Sequence, residues 1–366
     1  MVNVKRLTEE FLKLTAIDAE SGCEAAMRDY LTGALAKLDV AAETDAAGNL
    51  FARLPGTRAG RPLLFSAHMD TVRPGRDKIA VVHPDGRVTS DGTTVLGADD
   101  AAGLAAILEA LKVIREKALP HPELELLFTV EEERYCHGSA RFDFTRLHAE
   151  TAYVLDLTGP VGTAAIAAPT LLSVDVTVHG RAAHAGFAPE DGVNALSAAA
   201  AALSQIETGR VEADTTVNFG TIEGGTGKNV VPALVRMTGE VRSLRHAAAL
   251  QQAERMEAVF CREAEKRGGS AEVRITEEIR AYRIAEEEPA VRRLRAALAA
   301  LGWGEPKLVE TFGGSDNNRF VQHSLRGVVL AAAMEQVHTT AEYTDVSELA
   351  RSAALTLKLM TMEEEP

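Results

Sequence analysis

At 366 residues the chain exceeds the ~250–300 residues at which a single hydrophobic core usually stops growing, which predicts two domains. Hydrophobic residues at 46 % and charged residues at 25 % exclude long disorder, collagen-like repeats and a coiled-coil rod. The 39 Lys and Arg against 53 Asp and Glu give a net charge of −14 with no basic cluster, so neither nucleic acid nor an anionic membrane is expected as a partner.

Cys23, Cys136 and Cys261 are odd in number, widely spaced and without a CxxC pair, which points to a reducing compartment and to no thiolate zinc site. Met1–Arg6 is followed by Thr8-Glu9-Glu10 where a secretory signal needs an apolar run, and Ala195–Leu203 is too short to span a bilayer. A cytoplasmic protein is expected.

In chain order, Ser21 and Glu24 read as a capping box before a helix carrying Met27, Leu31 and Leu35. Leu63–Phe65 reads as a buried strand, Leu104, Leu108 and Leu111 as one face of a helix, and Leu124–Val130 and Ala152–Leu155 as further strands. Such alternation predicts an α/β layer sandwich. After Pro169 the pattern changes, because Leu172, Val174, Val176 and Val178 alternate with polar or small residues as in a half-exposed sheet. A helix at 193–206, strands at 215–222 and 230–241, a helix at 247–267 and a strand at 271–276 complete a ferredoxin-like order. From about Ala281 the α/β character returns, with a helix at Pro289–Leu301, a strand at 328–331 and a closing helix from Asp345. The reading is one α/β domain (1–167 and 281–366) split by an inserted α+β domain (168–280). Glu286–Glu288 and Glu363–Glu365 read as solvated charge runs.

The polar residues gather where the strands end. Leu63–Phe65 runs into Ser66-Ala67-His68-Met69-Asp70, Leu124–Val130 into Glu131-Glu132-Glu133, and Tyr153–Leu155 into Asp156. Ligands of open parallel sheets collect outside the carboxyl ends of the strands, so three strands deliver histidine and carboxylate to one rim. Gly97-Ala98-Asp99-Asp100 opens a helix and adds a fourth contribution; taken alone, Asp99 reads as an N-cap. Each of the others also has a bland reading alone: a loop His held by a carboxylate, a solvated run, a turn cap. Together they would repel one another unless cations compensated them, and divalent metal is the natural resolution. Imidazole and carboxylate ligands suit Zn2+, and also Co2+ or Mn2+, in a hydrolytic site. Asp70, two residues from His68, is placed to take the other ring N–H and orient it rather than to bind metal.

At these residues the chain resembles the dinuclear M20 metallopeptidases, and within them the peptidase T type of tripeptide aminopeptidase. The resemblance runs through 66–71, 91–100, Thr129–Glu133, Asp156, the inserted domain, Gly313-Gly314-Ser315-Asp316, and His338 with Glu342. It implies a zinc-peptidase-like α/β/α catalytic domain with an inserted ferredoxin-like lid and dimerisation domain. It also implies two metal ions, with His68 and Asp156 on one, Glu133 and His338 on the other, and Asp99 bridging. The family's Glu pair aligns with Glu132-Glu133, because Thr129 and Gly138-Ser139-Ala140 then fall in place, making Glu132 the general base. Tyr135 stands where the family often has Gly, and a slip to Glu131-Glu132 stays open.

Gly180-Arg181-Ala182-Ala183-His184-Ala185-Gly186 resembles the family segment whose His reaches the partner subunit's site and stabilises the oxyanion, which implies a homodimer. Asn229 and Arg242 match positions that bind the substrate's polar ends, and Gly314 and Ser315 would face substrate main chain; a strand Arg and a Gly turn are the plain alternatives. Gly224–Asn229 lacks the first Gly of a phosphate loop, since Ile222 stands there, and is not read as one. The function implied is hydrolysis of short peptides from the amino end. An N-acyl amino-acid deacylase or carboxypeptidase-like amidohydrolase, and a catalytically silent metal-binding scaffold, are the competing readings.

Overall fold

Leu7, Phe11 and Leu14 recur at helical spacing and are buried along α1 (Val4–Thr15), whose N-cap Asn3 accepts the Arg6 N–H. The structure, a computed structural model, describes residues 1–363; Glu364 and Glu365 of the terminal run lie outside the described residues. The chain continues through α2 (Ala25–Ala36), β1 (Ala42–Thr44), β2 (Leu50–Leu54), β3 (Leu63–His68), β4 (Ala80–Val82), β5 (Arg87–Ser90), α3 (Ala98–Lys117), β6 (Leu124–Thr129), β7 (Thr151–Leu157) and β8 (Thr163–Ala168). Then come β9 (Thr170–His179), α4 (Ala195–Leu203), β10 (Gly209–Glu212), β11 (Thr215–Gly224), β12 (Leu234–Ser243), α5 (His246–Glu265) and β13 (Ser270–Ile279). The last stretch holds β14 (Tyr282–Arg283), α6 (Pro289–Leu301), β15 (Lys307–Glu310), α7 (Asn317–Gln322), β16 (Arg326–Ala331), β17 (Tyr343–Asp345) and α8 (Val346–Thr361). Two compact units result, one of Met1–Ala167, Arg283–Thr311 and the chain from Ser315 on, the other of Ala168–Tyr282 with Phe312–Gly314.

The first unit is built on a nine-stranded mixed sheet in the order β1-β2-β6-β3-β7-β16-β8-β14, with β15 on β8. Its central strands β6, β3, β7 and β16 are parallel, so their carboxyl ends share one rim. Both faces are apolar, as a covered parallel sheet requires. Leu64, Leu127, Val154 and Val329 pack on one face with Phe142 and with Phe320 of α7. On the other, Phe65 and Tyr153 stack with centroids 5.3 Å apart, and the Tyr153 hydroxyl donates to Ala290 O of α6 at 3.2 Å. Helices on both faces make the expected α/β/α sandwich. A small sheet, β17-β5-β4, stands beside it.

In the second unit the four long strands lie in the order β11-β12-β9-β13, with β10 added outside β11. Val174, Val176 and Val178 turn inward to meet α4 and α5 through Ala198, Ala202, Met256 and Phe260, while Ser173, Asp175, Thr177 and His179 occupy the other face. This is the ferredoxin-like arrangement expected from the element order.

Two local expectations are corrected. β12 starts at Leu234 rather than near Val230, because residues 230–233 pair elsewhere: Val231 N–H donates to Ala183 O, Val230 bridges His184, and Pro232 has no N–H to give a ladder. The Ser21/Glu24 capping box does not form. Glu24 is the N-cap of α2 without a side-chain bond; its carboxylate accepts Gly22 and Glu131 N–H, while the Ser21 hydroxyl donates to Asp70. Both residues are drawn to the rim by unpaired groups there.

Phe260 is 1 % exposed at the centre of the second unit's core. Phe260→Ala is expected to cost about 3–5 kcal/mol, read from the denaturant midpoint of purified protein.

Candidate active site and metal centre

His68 is the last residue of β3, and Asp156 the sixth of the seven in β7; parallel pairing sets both at the rim. Glu132 and Glu133 follow the end of β6, and His338 lies beyond β16. The five side chains expected to hold metal form two groups that share Asp99. In the first, His68 Nε2 stands 2.9 Å from Asp99 Oδ1 and 3.9 Å from Asp156 Oδ1. In the second, His338 Nε2 stands 3.3 Å from Asp99 Oδ2 and 3.0 Å from Glu133 Oε1. Asp99 thus turns one oxygen to each histidine.

Asp99 is free to do so because it does not cap α3. Its φ of −84° and ψ of 98° lie outside the helix, and Asp100 takes the cap, accepting the Gly103 N–H at 3.0 Å through Oδ1. Asp100 Oδ2 also accepts the His68 N–H at 3.1 Å. Asp70 sits behind His68, with Oδ1 3.5 Å from Nδ1, and accepts the N–H groups of Glu132 (3.0 Å) and Glu133 (3.2 Å). One carboxylate therefore registers β3 against the glutamate loop. Glu131 points away, paired with Arg134 at 3.1 Å and Arg141 at 2.6 Å.

Burial dominates the electrostatics. It pushes Glu132, Asp156 and Asp100 well above the usual carboxylate range, and it raises Glu133 with help from the Asp99 charge. At Asp99 burial acts upward too, but hydrogen bonds with His338 and His68 outweigh it and hold the carboxyl below its ordinary value. The Asp99 and Glu133 carboxylates beside it lift His338 to about 10. Glu133 Oε1 is buried and has no partner in hydrogen-bonding geometry although His338 Nε2 is 3.0 Å away. An unpartnered buried carboxylate oxygen beside converging histidine nitrogens, in a carboxylate-rich pocket, fits divalent cations. A third group, Glu123, Glu125 and His148, does not fit, since Arg53 lies 2.9 Å from Glu125 and 3.5 Å from Glu123 and already supplies the positive charge.

The second unit carries the remaining expected residues. His184 is exposed, with its ring stacked on Phe187 at 4.2 Å, and its Nδ1 accepts the N–H groups of Gly186 and Phe187, each at 3.1 Å. Asn229 is exposed beside it, its carbonyl accepting the Ala185 N–H at 3.0 Å. Arg242 is already engaged: Nε and Nη2 fork onto Glu240 at 2.8 and 3.0 Å, and Nη1 donates to Phe312 O at 3.0 Å. A substrate carboxylate would have to displace Glu240 to be held bidentately. Gly314 is exposed, whereas Ser315 in the first unit is buried with a hydroxyl lacking a partner.

Several supports escaped the sequence reading. Asn49, fully buried, accepts the Val130 N–H and donates to Gly138 O, closing the neck of the glutamate loop. Asp316 accepts the hydroxyls of Thr129 and Ser139. Cys136 Sγ lies 3.4 Å from Glu132 Oε1. Only an Asn before a strand and hydroxyls flanking the acidic run hinted at them.

A mixed α/β sandwich whose parallel strand ends carry a shared-carboxylate cluster is the architecture of a two-metal hydrolase. Residues 166–268 match the peptidase dimerisation domain of M20 enzymes, and residues 49–202 match peptidase family M28. The chain is 38 % identical to the Bacillus subtilis (strain 168) uncharacterized protein YqjE over 98 % of its own length and 99 % of that relative's. Among solved structures it resembles aminopeptidase PepT from Bacillus cereus ATCC 10987, with 37 % identity, 98 % of each chain covered and a TM-score of 0.90. It also resembles a tripeptidase from Staphylococcus aureus subsp. aureus Mu50, with 33 % identity, 99 % and 98 % covered and a TM-score of 0.95. The chain belongs to the M20 metallopeptidases, in their peptidase T-like branch.

A Cβ at Gly138 would lie 2.1 Å from Val130 O and 2.6 Å from Asn49 Oδ1. Gly138→Ala must therefore open the loop neck and displace Glu132 and Glu133. Peptidase turnover is expected to fall about 10²-fold, with the far-ultraviolet circular dichroism retained.

Proposed function

We propose that the chain is a two-metal aminopeptidase that removes the N-terminal residue of short peptides, tripeptides above all. The observation that carries this reading is Asp99, with one oxygen 2.9 Å from His68 and the other 3.3 Å from His338, in a chain similar to a tripeptidase along its whole length. In this reading His68, Asp156 and Asp99 hold one cation and Glu133, His338 and Asp99 the other. Nitrogen and oxygen donors without thiolate favour Zn2+, with Co2+ or Mn2+ as substitutes. Bound there, the cations supply Lewis-acid polarisation of the scissile carbonyl and acidification of the attacking water.

The chain's own residues do the rest. Glu132, buried beyond the end of β6 beside the metal-binding groups, takes the water's proton and passes it to the departing amine. Asp70 fixes the ring of His68. His184 accepts two backbone N–H groups at Nδ1, so its proton sits on Nε2, and the exposed ring offers a donor to an oxyanion in the partner subunit of a homodimer. Asn229 and Ser315 serve as polar contacts for peptide main chain, and Arg242 receives a substrate carboxylate only by exchanging it for Glu240. Cys23, Cys136 and Cys261 are all free, which supports a reducing, cytoplasmic location; no helix among the described residues is long and apolar enough to cross a membrane.

Four outcomes are expected. Glu132→Gln should lower kcat about 10²–10⁴-fold while metal content by plasma mass spectrometry stays that of the wild type; unchanged turnover would remove Glu132 from the mechanism. N-acetylation of a tripeptide should abolish its cleavage, whereas faster cleavage of the acetylated peptide would assign the chain to the deacylases. His184→Ala should lower kcat about 10²–10³-fold. Subunits of His184→Ala exchanged with subunits of Glu132→Gln should recover activity, because each mixed dimer holds one site with both groups intact.

A further inference from the structure

Glu342 lies four residues beyond His338 and is 1 % exposed. Its carboxylate is committed to two backbone amides: Oε2 accepts the Gly97 N–H at 2.7 Å and Oε1 accepts the Asp99 N–H at 2.9 Å. Gly97 has a left-handed φ of 75° and Asp99 is non-helical, so beyond the 3.3 Å bond from Ala101 N–H to Gly97 O this turn is held weakly by α3 itself. Asp99 could therefore rotate about its backbone unless something outside α3 fixed it. Glu342 does so from a segment 243 residues away, the same one that carries His338.

The two metal groups do not depend on this contact equally. His68 has anchors besides Asp99: it is the last residue of the buried strand β3, its backbone N–H donates to Asp100, and its Nδ1 faces Asp70 at 3.5 Å. The side chain of His338 is 51 % exposed, and its segment is tied down through the Glu342 carboxylate, a Glu335–Tyr343 bridge and the Ser90 hydroxyl on Thr340 O. We propose that Glu342 is a positioning residue that sets the orientation of Asp99 toward both histidines and thereby secures the cation of the Glu133–His338 group in particular. The inference rests on the two-metal reading given above. Its content is a selective one: loss of Glu342 weakens one cation and spares the other.

The experiment is a Co2+ titration of metal-free protein, followed by visible absorption and by metal content after dialysis, on wild type, Glu342→Gln and Ser90→Ala. Gln is isosteric, yet its amide nitrogen cannot accept, so either Gly97 or Asp99 loses its partner. Ser90→Ala loosens the same segment without touching Asp99. Wild type and Ser90→Ala should take up two Co2+ per chain. Glu342→Gln should bind the first with wild-type affinity and the second about 10–100-fold more weakly. Thermal melting of the three metal-free proteins reports whether the variants fold alike. Glu342→Gln binding both ions like wild type, losing both equally, or behaving like Ser90→Ala would overturn the proposal. A wild type that takes up fewer than two ions would instead sink the two-metal reading beneath it.

Discussion

Burial of many carboxylates at one sheet rim is the constraint to which the rest of the first unit answers. A buried carboxylate must find hydrogen-bond donors, a cation or a proton, and the members of this cluster sort themselves by which they find. Asp70, Asp100, Asp316 and Glu342 spend their oxygens on backbone N–H groups and hydroxyls of the chain. Asp99 and Glu133 turn theirs to histidine nitrogens, and Asp156 stands 3.9 Å from His68. The first set makes the frame; in the proposed two-metal reading the second keeps its lone pairs for cations. That division separates supports from ligands more cleanly than residue type, since both sets are aspartate and glutamate.

Much of this was legible before any coordinates. His68, Asp156 and the glutamate run stand at the ends of apolar stretches too short to be anything but strands, so the rule that ligands gather at parallel strand ends placed them together. The inserted domain was legible because Leu172 to Val178 alternate with period two, whereas the first unit's central strands, buried on both faces, do not. What failed was local chemistry under tertiary pull. Ser21 and Glu24 have the spacing of a capping box, yet the rim offered Asp70 and the Glu131 N–H, and those partners won. Asp99 and Asp100 are indistinguishable as caps in the sequence, and only the geometry shows that the second takes the cap. Asn49 and the three-residue strands carry no periodicity at all.

The loops that bear the site also carry unfavourable backbone. Among the described residues, Glu131, Tyr135 and Cys136 in one loop and Ala333, Gln336 and His338 in the other have φ between 50° and 64°. Each such residue costs roughly 1–2 kcal/mol relative to a right-handed conformation. Hydrogen bonds to charged groups contribute about 1.5–3 kcal/mol each, the same order. Asp70 on the amides of Glu132 and Glu133, Glu24 on that of Glu131, and Glu342 beyond His338 are therefore large enough to hold these loops where propensity alone would not. Tyr135 matters here: it is not Gly, yet it adopts the left-handed geometry anyway, so the restraint comes from the surrounding contacts and not from a permissive residue.

A frame of this kind has a consequence for metal capture. Orienting Asp70, Asp100 and Glu342 through backbone amides fixes the ligand side chains before a cation arrives, so less ordering entropy remains to be lost on binding. Protons, however, are the competing occupants: burial raises Glu133, and the Asp99 and Glu133 carboxylates raise His338 against the opposing effect of burial. A cation must displace them, which opposes the gain from preorganisation and grows as pH falls. The two effects act on the same atoms from opposite sides. Where ligands are held tightly and few protons must leave, binding is favoured; His338, half exposed and raised by its carboxylate neighbours, belongs to the group where, in the proposed reading, both effects are least favourable and one more restraint changes occupancy most.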